Sequence, residues 1–232
     1  MRWWSLLIVI LVTAVVLSGA ILVSPTQSPA DSVRRADKRL INPSQPQLVK
    51  LPRLTSDPPP IYAQSAVVID AESGRVLLSL NPHERRPIAS TTKVMSSIVF
   101  LRANPNLEEE VIVESAAASQ VGSLMGLLSG ERLTLRDLLA GSLLVSGNDA
   151  IYQIAEHQGG VEQFVTAMNQ TVSEIGLKET SFRDPAGLDD SGYSSAFDIG
   201  MMLRYALTFD VFRSLVSLPE LTISSSMQTF QL

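Results

Sequence analysis

Apolar and polar positions fall into three textures along the 232 residues. The first is an unbroken apolar run. Trp3 to Val23 holds 21 positions without a charge, after a single Arg2. A helix that crosses a bilayer needs ~20 apolar residues, whereas the apolar stretch of a cleaved signal spans roughly 7–15. Its length points to a membrane anchor, while Ser18-Gly19-Ala20 supplies the small residues of a signal cleavage site. Residues 1–23 therefore read as a signal peptide or a membrane anchor. The second texture, residues 24–60, has no periodicity and holds 8 of the 13 prolines. Proline removes backbone donors and biases its neighbours to extended shapes, so this segment reads as an extended linker.

From residue 61 a globular pattern begins. Ala66-Val67-Val68-Ile69 and Arg75-Val76-Leu77-Leu78 flank Asp70-Ala71-Glu72-Ser73-Gly74, which predicts a β-hairpin. After Pro87, residues 90–101 predict a helix. Leu135, Leu138, Leu139 and Leu143 form an apolar helical stripe, and Thr134 with Asp137 resembles a capping box at its start. Val161, Phe164, Val165, Met168, Val172 and Ile175 form another stripe, stopped by Gly176. Ser195, with Asp198 three residues on, is placed to cap a further helix carrying Ile199, Met202, Leu203 and Ala206 inward. Only Leu221-Thr222-Ile223 suggests a later strand. Glu108-Glu109-Glu110 reads as a solvated loop or helix end.

Charge changes the picture in two ways. Residues 1–60 carry 7 Lys/Arg against 3 Asp/Glu, and residues 61–232 carry 11 against 20. An acidic globular part lacks the basic footprint of a nucleic-acid binder. Arg34, Arg35, Lys38 and Arg39 follow the apolar run closely, an arrangement that the positive-inside rule assigns to the cytoplasm. With 0 Cys there is no disulfide framework and no Cys-ligated metal site. No metal or cofactor is expected.

Candidate chemistry narrows by elimination. His83 and His157 are the only histidines, and no local pattern brings either to a serine, so they read as surface or core residues. No phosphate-binding glycine loop and no G-x-S-x-G turn occurs. What survives is serine with lysine. Ser90-Thr91-Thr92-Lys93 is the one S-x-x-K in the chain, and positions i and i+3 share a helix face. A serine hydroxyl needs a base, and a lysine can serve when burial and the positive end of a helix lower its pKa. The simpler reading makes Ser90 a helix cap and Lys93 a solvated charge. Ser146-Gly147-Asn148 places a hydroxyl and a carboxamide on a loop before the next predicted helix, where they too could be cap and turn residues.

As an ordered set these residues resemble the D-alanyl-D-alanine carboxypeptidases, the low-molecular-weight penicillin-binding proteins. The resemblance runs through the Val67–Leu80 hairpin, Pro87-Ile88-Ala89-Ser90-Thr91-Thr92-Lys93 and Gly122-Ser123-Leu124-Met125-Gly126-Leu127. It continues through Leu144-Val145-Ser146-Gly147-Asn148-Asp149-Ala150, Asp184-Pro185-Ala186-Gly187-Leu188 and Tyr193-Ser194-Ser195-Ala196, covering residues 61–232. It implies an α+β fold of the serine β-lactamase/transpeptidase type, an antiparallel sheet flanked by helices plus a helical subdomain. It implies Ser90 as the acylated nucleophile, Lys93 as its base, Ser146 as proton relay and Asn148 as a donor to the substrate. The implied substrate is the D-Ala-D-Ala end of peptidoglycan stem peptides, with β-lactam antibiotics as inhibitors. The site is then expected outside the cytoplasmic membrane, anchored through the N-terminal segment or secreted.

The family's K-[ST]-G element is not among the 232 residues, which hold no lysine after Lys178. The resemblance gives that element's strand one of the donors that bind the developing oxyanion. The chain is accordingly expected to be an N-terminal fragment or truncated form, since a sheet without its inner strands leaves backbone groups unpaired. The other expectation is a natural short form, inactive or completed by another chain. A D,D-endopeptidase, a β-lactamase and an inactive tethered wall-binding module are the alternatives. Ser146-Gly147-Asn148 in place of S-D-N, without a clear carboxylate for deacylation, counts against the β-lactamase.

Overall fold

The computed structural model describes residues 60–232. The expected signal or anchor over 1–23 lies outside the described residues, as does all but the last residue of the linker expected over 24–60. Among the described residues no helix is long and apolar enough to cross a membrane.

Strands β1 (Ala66–Ile69) and β2 (Val76–Leu80) form the predicted hairpin, paired antiparallel from Ala66↔Leu80 to Ile69↔Val76 with an irregularity between Val68 and Ile69. Its turn is built locally. The Asp70 carboxylate accepts from the Ser73 N–H at 2.8 Å and from the Ser73 hydroxyl, and Gly74 takes φ +72°.

One turn of 3₁₀ helix, Ala89–Thr91, leads into α1 (Thr92–Arg102). Then come β3 (Glu110–Ile112), α2 (Ser115–Ala118), β4 (Arg132–Thr134), α3 (Leu135–Leu144), α4 (Asn148–His157) and α5 (Val161–Glu174). The chain continues with α6 (Ala196–Ala206), α7 (Asp210–Val216), β5 (Thr222–Ser224) and β6 (Thr229–Gln231). The architecture is α+β, with helices in the majority and three separate antiparallel strand pairs: β1–β2, β3–β4 and β5–β6.

α1 is buried on nearly every side, its polar Thr92, Lys93, Ser96 and Ser97 included, and it lies at the centre. Met95, Ile98 and Phe100 are fully buried there, in one core with Leu135, Leu138 and Leu139 of α3, Ile151 and Ile154 of α4, Met168 of α5 and Met202 of α6. α3 begins as expected. Thr134 Oγ1 accepts from the Asp137 N–H at 3.1 Å, and the Asp137 carboxylate accepts from the Thr134 N–H at 3.2 Å. Ser195 caps α6 through the Asp198 N–H. α6 also braces the hairpin. Gly200 leaves room for Ile69 and Val67, and Arg204 donates to the carbonyls of Ala71 (2.8 Å) and Glu72 (2.9 Å).

Two expectations change. Glu110 is not in a solvated loop or helix end but opens β3, opposite Thr134, while Glu108 does pair with Arg136 at the surface. The Leu221–Ile223 strand forms one residue later and finds a partner, β6, that the pattern does not show. β3, β4 and β6 have three residues each and one buried side chain each: Val111, Leu133 and Phe230. Alternation cannot register in so short a run.

Candidate active site

The two sequence motifs and a third segment converge on the Lys93 ammonium. Ser90 sits in the 3₁₀ turn, half a turn before α1. Thr91 is the N-cap residue of α1, and no side chain caps that end. Gly147 is the N-cap residue of α4, again without a side-chain cap. Neither Ser90 nor Ser146 spends its hydroxyl on a helix end, so side-chain capping does not describe either motif, although Ser146 and Gly147 do form the turn before α4.

Lys93 is not a solvated charge either: it is 2% exposed. Its Nζ donates toward Ser90 Oγ at 3.2 Å, Ser146 Oγ at 3.3 Å and the Ala186 carbonyl at 3.2 Å. Burial lowers its pKa from 10.5 to about 8, against the opposing pull of the Asp184 and Asp149 carboxylates. At neutral pH a usable fraction is therefore the free amine, which an exposed lysine would not provide.

The Ala186 carbonyl gives this contact a direction. A carbonyl can only accept, so one lysine N–H always points to it. The ammonium fills all three contacts. The free amine keeps two N–H bonds and one lone pair, and the lone pair must then face Ser90 or Ser146. That geometry suits removal of a proton from the Ser90 hydroxyl.

Both serines sit beside strained backbone. Ala89, just before Ser90, has φ +43°, and Ser146 has φ +59°. Side chains other than glycine pay ~1–3 kcal/mol in this region and persist there only where the surroundings dictate it. The surroundings are two loops, each gathered by a buried carboxylate. Asp184 accepts from the N–H groups of Ala186 (2.7 Å), Gly187 (2.6 Å), Leu188 (3.1 Å) and Asp189 (2.8 Å), which presents the Ala186 carbonyl to Lys93. Ser96 of α1 donates to the Pro185 carbonyl at 2.7 Å and ties this loop to the helix that carries Lys93. Gly187 packs so closely that a Cβ there would lie 1.9 Å from the Ala89 carbonyl oxygen. Asp149 accepts four backbone N–H groups in the same manner, three of them from residues 125–127.

Asn148 is buried beside Ser146. Its Nδ2 donates to the Val121 carbonyl at 2.6 Å and its backbone N–H to the Ser123 carbonyl at 2.8 Å. The amide retains a second N–H. The histidines lie elsewhere: His83 faces Glu179 at 3.5 Å and packs at a tilt against the Phe197 ring, and His157 lies 3.8 Å from Glu109.

Sequence reasoning singled out Ser90, Lys93, Ser146 and Asn148. It gave no role to Asp149, Asp184 or the Ala186 carbonyl. An Asp followed by Pro-Ala-Gly carries a local signal for a carboxylate that collects backbone N–H groups, yet nothing local shows that the loop faces Lys93.

Residues 53–231 match the family model described as D-alanyl-D-alanine carboxypeptidase. The chain belongs to this family. The D-alanyl-D-alanine carboxypeptidase DacF of Bacillus subtilis is 39% identical over 154 residues, covering 64% of this chain and 40% of its own length. A solved D-alanyl-D-alanine carboxypeptidase from Mycobacterium tuberculosis superposes with a TM-score of 0.73 at 33% identity, over 77% of this chain and 69% of its own. The Streptomyces K15 DD-transpeptidase gives a TM-score of 0.73 at 28% identity, over 76% of this chain and 75% of its own. The fold is thus that of the DD-peptidases and transpeptidases, as the resemblance implied. The chain spans about 40% of the length of the first curated relatives it matches.

Proposed function

We propose that this protein is a serine-type D-Ala-D-Ala carboxypeptidase acting on peptidoglycan stem peptides through an acyl-enzyme on Ser90. One observation carries the reading: a 2%-exposed lysine whose Nζ lies 3.2 Å from one serine hydroxyl and 3.3 Å from another. Lys93, as free amine, takes the Ser90 proton while Ser90 Oγ attacks the carbonyl of the penultimate D-Ala. Ser146, in contact with the same Nζ, passes a proton to the departing D-Ala amine. Asn148 donates its second amide N–H to the bound peptide. Water then cleaves the ester and frees Ser90. A β-lactam carbonyl is attacked by the same hydroxyl.

The substrate class requires a site outside the cytoplasmic membrane, and the apolar run at Trp3–Val23 supplies the means of export or anchoring. Incubation of the protein, expressed from its whole gene, with a stem pentapeptide ending in D-Ala-D-Ala tests the proposal. Release of D-Ala, lost in Ser90→Ala, is expected. No release from the pentapeptide, together with cleavage of a cross-linked peptide dimer, would replace the carboxypeptidase with an endopeptidase. Release that persists in Ser90→Ala would remove Ser90 from the reaction.

A further inference from the structure

Asp149 directly follows the Ser146-Gly147-Asn148 turn and is 1% exposed. Its Oδ1 accepts from the N–H groups of Met125 at 2.8 Å and Ala150 at 2.9 Å, and its Oδ2 from Gly126 at 2.7 Å and Leu127 at 2.9 Å. The next amide in line, Leu128, donates to Glu131 at 2.8 Å, and Glu131 is itself fully buried. Four consecutive backbone donors thus end on two buried carboxylates instead of in a helix or strand. Burying a carboxylate is costly unless it is fully hydrogen-bonded, and this arrangement meets that condition.

The same segment is fastened to the turn at other points. Asn148 holds the carbonyls of Val121 and Ser123, and Gln228 donates to the Gly126 carbonyl at 2.8 Å. Gly147 has no spare room, because a Cβ there would lie 3.0 Å from Asp149 Oδ1 and 3.1 Å from the Met125 nitrogen. Between these fixed neighbours Ser146 holds its φ of +59°. A strained residue needs such support to stay in place.

We propose that Asp149 is a positioning residue that locks the 121–128 segment to the Ser146–Asn148 turn and so sets where the Ser146 hydroxyl meets Lys93. The inference rests on the Ser90 acyl-enzyme reading for its catalytic consequence, although the locking itself is independent of it. Asp149 touches no reacting atom. It acts through the backbone of Ser146, and its charge also favours the protonated form of Lys93.

The test uses Asp149→Asn and Asp149→Glu in the protein expressed from its whole gene. Asparagine offers one acceptor oxygen and turns an NH2 group toward the amides, so part of the set loses its partner. Hydrogen exchange at the amides of Met125, Gly126 and Leu127 is expected to accelerate by ~10-fold or more in Asp149→Asn. Acylation by a fluorescent penicillin is expected to slow by ~10–100-fold, the scale of a small misplacement near the reacting groups. The midpoint of the rate–pH profile is expected to move to lower pH in Asp149→Asn, because one of two carboxylates that hold a proton on Lys93 has gone. Asp149→Glu keeps the charge and displaces the carboxylate, so its rate falls while its midpoint stays near that of the wild type.

Unchanged amide protection in a folded Asp149→Asn overturns the proposal. So does lost protection with wild-type acylation rate and midpoint. If Asp149→Asn does not fold, Gly122→Ala probes the same lock from the other side, since its Cβ would meet Asn148 Nδ2 at 2.9 Å with φ at +86°. Wild-type acylation rate in that variant, with residues 121–128 exchanging faster, would equally refute it. A wild-type protein that forms no adduct at Ser90 contradicts the acyl-enzyme reading instead, and amide exchange still decides the lock.

Discussion

Lys93 has three N–H bonds to place as an ammonium and three acceptors around it: Ser90, Ser146 and the Ala186 carbonyl. The cost of its charge is desolvation, and the result is a pKa lowered from 10.5 to about 8. Two consequences follow at this residue. On the proposed mechanism Lys93 must be deprotonated to act as the base, so the rate of Ser90 acylation should rise with pH through a midpoint near 8, as a stopped-flow or gel assay with fluorescent penicillin will show. A flat profile from pH 6 to 9 would remove Lys93 as the base. Stability should carry the same signature. Above about pH 8 the folded lysine is neutral, while the unfolded one stays protonated up to about 10.5. The unfolded state then holds more protons, so stability rises with pH across that window. Relative to Lys93→Met, the wild type should therefore gain stability between pH 8 and 10.5 and show a constant deficit below pH 8, measured by denaturant unfolding. A difference that does not vary with pH would contradict burial of this amine.

At the scale of elements, the site depends on how loops meet α1. Gly187 holds φ +81° with its backbone against Ala89, so Gly187→Ala must push the 184–189 loop away from the Ser90 turn. We expect a loss of ~1–3 kcal/mol in unfolding free energy, the range for strain at a special backbone position, with an accompanying fall in acylation rate. A variant with wild-type stability and acylation rate would show that the close approach is not needed. Thr134→Ala, which removes the capping box of α3, should cost ~1 kcal/mol and leave acylation untouched. Some elements were legible in the chain and others were not. The β1–β2 hairpin, the α3 cap and the Ser195 cap of α6 rest on neighbours within a few residues, so pattern alone reveals them. β3 and β4 owe their existence to each other across residues 113–131, while β6 lies just after its partner β5 but is too short for alternation to show it. Asp184 and Asp149 gather nearby backbone donors, but their value to the site comes from Lys93, at a distance in sequence that no local pattern spans.

At the scale of the molecule, Ser90, Ser146 and Ala186 come from three separate segments, and the fold brings them to one amine. Composition and periodicity alone left both serine motifs divided between catalysis and helix capping. The ordered resemblance to the carboxypeptidase family joined them, and in the structure α1 and α4 start without side-chain caps while both hydroxyls lie within 3.3 Å of the Lys93 Nζ. The family match over residues 53–231 and the M. tuberculosis and K15 structures establish the fold in which this occurs. The most direct test of the central claim is the site of penicillin acylation. The protein expressed from its whole gene is treated with a penicillin at pH 8, digested and mapped by mass spectrometry. The account predicts one covalent adduct, on the peptide that carries Ser90, absent from Ser90→Ala and strongly reduced in Lys93→Met. An adduct on a different residue, or one that survives Ser90→Ala, would contradict it.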